Sequence, residues 1–231
     1  MTGPGRKEAE DALAGAYGKI SEVAGGLTGT SAMLPSRCAG WAVLDVLYHQ
    51  LLDARRALVT YASPAGPPDT DHVSYWRPFS PASGHPAALG SSGAAQHARH
   101  VRIAASAYTP QTLAAEWQET SAAAVRAARA CPHKTLATQG HALPTADFTA
   151  TLAVEAAIHY LDMTVALAGA PEPDPASLAL ARNVLNQLAG SPLPPNWDDA
   201  TCALKGTGRL TLSQADRSAL GPAAGKLPLF G

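Results

Sequence analysis

The chain has 231 residues, of which 46% are hydrophobic and 15% charged, enough to bury one sizeable core and too apolar for a disordered tail. Its 17 Lys and Arg balance 18 Asp and Glu, so the basic footprint of a nucleic-acid or acidic-membrane binder is missing. Cys38, Cys131 and Cys202 are odd in number and contain no C-x-x-C pair, which argues against a disulfide framework or a thiolate-rich zinc site. With Lys7, Glu8, Glu10 and Asp11 near the start and no run of about 18 apolar residues, neither a signal peptide nor a spanning helix is expected. The expectation is a soluble cytoplasmic protein.

Aromatic residues make up only 6% and alanine is abundant, a composition that suits close-packed helices and predicts an all-α fold. Residues 7–26 read as a helix, with Leu13, Tyr17, Ile20 and Val23 at three- and four-residue steps before Gly25 and Gly26 end it. A connector containing Pro35 follows. Residues 41–62 give the clearest helix: Leu44, Leu47, Leu51 and Leu58 line one stripe, and Trp41, Tyr48, Leu52 and Val59 line the next, so it must pack on two neighbours. Residues 63–92 are rich in Pro, Gly and Ser, too long for a simple turn, and predict a lid or an excursion pinned by Trp76 and Phe79. Residues 94–107 look helical. Thr109 and Pro110 supply an N-cap and a first-turn proline for a helix that runs to Ala130. A further helix runs from Asp147 to Ala168, closed by Gly169 and Pro171.

Beyond Ala170 the composition turns Pro-rich around one more helix at 176–189. Thr201 to Leu204 and Arg209 to Leu212 look like short strands around a Gly206-Thr207-Gly208 turn, and Ser213 with Asp216 resembles a helix capping box. The expected organisation is therefore a helical bundle over 1–170, followed by a Pro-rich linker and a small mixed α/β C-terminal extension over 171–231.

Chemistry concentrates on two helices. Glu155, His159 and Asp162 share one stripe of the 147–168 helix, and Glu-x-x-x-His sets a carboxylate and an imidazole one turn apart, within reach of a single metal ion. With 7 Glu and 8 His in the chain, chance gives such a pair about 0.2 times, so the pair alone is a weak signal that also fits the solvated stripe of a surface helix. His49 lies between Asp45 and Asp53 on the 41–62 helix, a pattern that a hydrated helix edge would share. One histidine from one helix and a Glu/His pair from another nevertheless make a three-ligand set for a bundle-core metal, with one coordination position open. His97 and His100 share a helix with no accompanying acid and read as surface residues. Cys38 reads as a buried, inert thiol.

The stretches Cys38-Ala39-Gly40-Trp41-Ala42-Val43-Leu44-Asp45-Val46-Leu47-Tyr48-His49 and Val154-Glu155-Ala156-Ala157-Ile158-His159-Tyr160-Leu161-Asp162 resemble the two signatures of the mycothiol-dependent maleylpyruvate isomerase family, within the DinB-like metal-binding four-helix bundles. The resemblance covers roughly residues 8–170. It implies that His49, Glu155 and His159 ligate a divalent metal, zinc by preference, with water in the fourth position, and that mycothiol serves as thiol cosubstrate. Tyr48, Tyr160 and Asp162 would orient ligands or substrate. Ala42 stands where the family often has Thr or Ser, so the entrance to that helix lacks the usual capping hydroxyl. Characterised isomerases carry a fuller C-terminal domain that brings an arginine to the substrate, and Arg209 is the candidate for that catalytic role; a solvated turn residue is the competing reading.

The implied function is a metal-dependent enzyme that activates mycothiol for isomerisation of, or S-transfer to, a small electrophilic substrate. Two alternatives stand beside it: a thiol-independent natural-product tailoring enzyme, cyclase or lyase, on the same bundle, and a non-catalytic metal-binding stress-response module. Partners would be the small-molecule substrate and the thiol, with no nucleic acid or membrane, in a monomer or homodimer.

Overall fold

Arg6–Gly25 (α1) opens the fold in a computed structural model that describes residues 3–88 and 90–231; residue 89 of the 63–92 segment lies outside the described residues. After the short Gly29–Ala32 (α2), the chain forms Val43–Tyr61 (α3), Ser92–Ala105 (α4) and Pro110–Ala130 (α5). A hairpin of Thr135–Thr138 (β1) and His141–Pro144 (β2) leads into Thr145–Thr164 (α6). Pro175–Ala189 (α7), Asp199–Gly206 (α8) and Gln214–Leu220 (α9) complete the order.

The long helices pack as a ring: α1 lies against α6 and α5, and α3 against the same two, the arrangement of a DinB-like four-helix bundle. Its centre is filled from all sides, with Leu13 and Ile20 of α1, Leu47 and Leu51 of α3, Leu113 and Trp117 of α5, and Tyr160 and Met163 of α6 almost fully buried. The Tyr17 and Trp117 rings meet edge to face at 5.0 Å, and the Trp117 indole N–H donates to Ser21 Oγ at 2.9 Å, so the large aromatic is buried without stranding its donor. Arg6 spans from α1 to the end of α5, where its guanidinium donates to the Ala128 and Cys131 carbonyls at 3.0 and 2.7 Å, satisfying acceptors the helix terminus leaves open.

Helix α6 is not the surface helix its polar stripe allows. It is buried on almost every face, because α1 and α3 cover it from the bundle and α7 from the extension. Its carboxylates and imidazole are therefore interior groups that need partners.

The 63–92 segment forms 3-10 turns at Ser74–Phe79 and Pro81–Ser83 and runs along the hairpin, where the Ala65 and Ala137 N–H groups bond to the Thr135 and Ser63 carbonyls. Trp76 is buried and touches Phe79, as expected of a pin. The strand readings in the extension are corrected: Thr201 to Leu204 lies inside α8, whose start is fixed by Asp198 accepting from the Thr201 N–H at 2.6 Å. Arg209 to Leu212 adopts no regular element, and the two-stranded sheet lies instead at 135–144. The Ser213 and Asp216 cap does open α9. Among the described residues, no helix is long and apolar enough to cross a membrane.

Candidate metal centre

Helix α3 is presented to the site by the connector before it. Asp45 accepts from the Ala42 N–H at 2.8 Å, so the helix start is capped by the carboxylate even without a hydroxyl at position 42. Ser36 bonds back to the Trp41 carbonyl at 2.9 Å and receives the Cys38 N–H at 3.1 Å, while the Arg37 N–H donates to the Asp162 carbonyl at 3.1 Å. These bonds hold Cys38 and Trp41 over the end of α6.

His49 of α3 meets Glu155 and His159 of α6 across the α3–α6 contact. Glu155 Oε1 lies 3.4 Å from His49 Nε2 and 3.2 Å from His159 Nε2, and the two imidazoles stand edge to face with centroids 4.8 Å apart. Donor atoms on a tetrahedral metal at about 2.0–2.1 Å stand about 3.3–3.4 Å apart, which the two distances to Glu155 Oε1 match, and the three donor atoms all lie within 4.8 Å of one another. The donor set of two imidazole nitrogens and one carboxylate oxygen suits zinc and other borderline divalent metals. Glu155 keeps 28% of its side chain exposed, against 14% for His49 and 9% for His159, which leaves one approach from solvent on the carboxylate side.

Behind His159 lies a second layer of partners. His159 Nδ1 is 2.9 Å from Asp162 Oδ2, the arrangement that fixes a ligating imidazole's tautomer and leaves Nε2 for a cation. Asp162 is fully buried and also accepts from the Cys38 thiol at 3.2 Å and from Arg209 Nε at 2.8 and 2.9 Å. His49 Nδ1 and the Trp41 indole N–H are buried without a hydrogen-bond partner among the described residues.

The electrostatics follow from this packing. Burial favours the neutral form of Glu155, but hydrogen bonds from His159 and His49 outweigh it and hold the carboxyl well below its usual range. Burial also favours neutral His159, yet its bonds to Asp162, Cys38 and Glu155 carry the ring well above its ordinary value. Burial pushes the Asp162 carboxyl up, and the Arg209 and His159 charges overcome it to lower the group.

The structure brings His49, Glu155, His159, Asp162 and Arg209 together. It does not bring Tyr48 or Tyr160. The Tyr48 ring lies 5.5 Å from that of Tyr108. The Tyr160 hydroxyl donates to the Pro171 carbonyl, and burial together with the Glu22 and Glu172 charges pushes it up to about 12. Tyr160 thus fastens the chain leaving α6, and Tyr48 packs against Tyr108 in the connection between α4 and α5. Arg209 is no solvated turn residue, since its side chain is only 14% exposed.

Three further residues near the cluster are not among the candidate site residues read from the sequence. His97 is exposed on α4, but its ring lies 5.4 Å from His49 and 6.4 Å from Trp41, and burial with the neighbouring His49 and His100 charges lowers its basicity. Asp53 Oδ2 lies 3.5 Å from His49 Nε2, one turn along α3 as its spacing allows. Cys38 is half-buried against Asp162 rather than isolated in the core. No sequence periodicity points to His97, because α4 reaches the site only after the irregular 63–91 excursion.

A family model described as the mycothiol maleylpyruvate isomerase N-terminal domain matches residues 13–164. That range contains all three candidate ligands and Asp162, and stops short of Arg209. No curated protein and no solved structure matches the chain.

Proposed function

The chain belongs to the mycothiol maleylpyruvate isomerase N-terminal domain family, and from that premise we propose that it is a metal-dependent enzyme that activates mycothiol for reaction with a small electrophile. The observation that carries this reading is the convergence of His49, Glu155 and His159 within 3.2–3.4 Å contacts in a buried but not sealed position. His49 and His159 would hold a divalent metal, zinc by preference, through Nε2, and Glu155 through a carboxylate oxygen. Such a metal stabilises the thiolate of a small thiol at neutral pH.

The chain's own residues set the rest. Glu155 serves as ligand rather than general base, because both histidines already direct their ring nitrogens at its Oε1. Asp162 holds the Nδ1 side of His159 and keeps its ring aimed at the cluster. Trp41 and His97 flank His49 and shape the wall that substrate meets. Once sulfur adds to a conjugated double bond, rotation and thiol expulsion give isomerisation, whereas retention of sulfur gives a conjugate. We assign this chemistry to the cytoplasm and keep the division near residue 170, with the bundle as metal-binding unit and 171–231 as extension.

Elemental analysis of the purified protein, followed by calorimetric titration of the metal-loaded form with mycothiol, tests the proposal. One metal per chain with saturable thiol binding is the expected result. Metal without thiol affinity would favour a thiol-free tailoring enzyme or a stress-response module and would reject the thiol chemistry.

A further inference from the structure

Arg209 lies 47 residues after Asp162 and outside the family match, yet both oxygens of the buried carboxylate accept from its Nε, at 2.8 and 2.9 Å. The extension is built to deliver it. Gly208 adopts φ +75°, a conformation L side chains rarely take, and a Cβ there would approach Pro228 to 3.1 Å. The Arg209 and Leu210 N–H groups then both close on the Leu204 carbonyl at the end of α8, at 2.8 and 3.0 Å. The Leu229 N–H ties the C-terminal segment to the Gly206 carbonyl at 2.8 Å.

Asp162 needs this partner. A carboxylate with no exposed surface is costly unless compensated, and among its side-chain partners only Arg209 is a permanent cation, since Cys38 offers a neutral thiol and His159 is charged only when protonated. Lys would not serve equally, since the planar guanidinium gives Nε to Asp162 while Nη1 donates to the Thr207 carbonyl at 3.4 Å.

We infer that Arg209 is a positioning residue for the metal: through Asp162 it fixes the tautomer and orientation of His159, so that the C-terminal extension sets metal affinity at a site built by the bundle. This rests on His49, Glu155 and His159 being the metal ligands. It differs from the substrate-contacting role expected of an arginine from this part of the chain, because the guanidinium is turned onto Asp162 instead of the open side of the cluster.

The test uses the full chain. Zinc affinity is measured by chelator competition, and the cobalt(II)-loaded protein is followed by its visible absorption bands, for wild type, Arg209→Gln, Arg209→Lys and Arg182→Gln. Arg182 pairs with Asp199 within the extension and controls for loosening of that region. Arg209→Gln is expected to weaken zinc binding by about 10–100-fold and to shift the cobalt bands, the range seen when the partner of a ligating histidine is lost. Arg209→Lys should recover part of the affinity, and Arg182→Gln should keep wild-type affinity and bands. A folded Arg209→Gln with wild-type zinc affinity and cobalt bands overturns the inference, even if turnover falls, since Arg209 would then act on substrate. Should that variant fail to fold, Arg209→Met, which keeps the packing of the stem, is read in the same way. Wild-type protein that takes up no metal would overturn the metal centre itself, and the inference with it.

Discussion

Phe230 stacks on Trp76 with ring centroids 4.5 Å apart and planes inclined by 24°, so the C-terminal segment is fastened to the excursion between α3 and α4. Both rings are buried, and Tyr75 and Phe79 extend the aromatic cluster at 5.2 and 6.0 Å from Trp76. Two segments far apart in sequence thereby meet at one point of the hydrophobic core.

Phe230→Ala should destabilise the protein by about 3–5 kcal/mol, the usual cost of emptying a buried aromatic site. Limited proteolysis should then cut within residues 63–91 faster than in wild type. Unchanged cleavage and an unchanged unfolding midpoint would show that the stacking carries no stability.

His159→Ala should lose stoichiometric metal while keeping the far-ultraviolet circular dichroism of the helices. The bundle core is large enough to fold without an ion, and on the proposed reading His159 contributes a ligand rather than a major packing group. Elemental analysis and circular dichroism on the same sample check both halves of this expectation.

Gly206→Ala should destabilise by about 1–3 kcal/mol despite the better helix propensity of alanine. A Cβ at this position would stand 2.8 and 2.9 Å from the two Leu185 methyl carbons, and Leu185 is fully buried where α7 meets α8. Chemical denaturation measures the loss, and a double variant with Leu185→Ala should be less sensitive to the added methyl.

Asp216 supplies an acid-dependent increment of stability. Hydrogen bonds from Lys205 and Ser213 lower its carboxyl well below the usual range, and Trp197 Nε1 adds a further donor at 2.7 Å. The unfolded chain therefore binds the proton more readily than the folded one. Stability rises with pH through the window between the folded and unfolded values, is fully present above the ordinary carboxylate range, near 4, and is lost as pH falls toward the folded value. Denaturation at pH 7 should show wild type more stable than Asp216→Asn, and the gap should shrink steadily below about pH 4.

The long helices and the candidate ligands were legible in the sequence. Leu44, Leu47 and Leu51 mark α3, and Glu155 and His159 are four residues apart, so the helical repeat alone places them on one face. Local caps did the same for α5 and α9, because Thr109 and Ser213 act on N–H groups only three residues away. Short-range geometry of this kind follows from residues a turn apart and is therefore readable from the sequence. It fails where elements are short or irregular: Thr201 to Leu204 looked extended because four residues show no helical period, and only the Asp198 cap and burial of Cys202 and Ala203 against the bundle make it helix. The tertiary structure alone decided that Arg209 meets Asp162, that His97 stands beside His49, and that Tyr160 turns away to Pro171. Those meetings depend on where long irregular segments return to the bundle, and a buried carboxylate selects its partner from whatever the closed chain brings within reach.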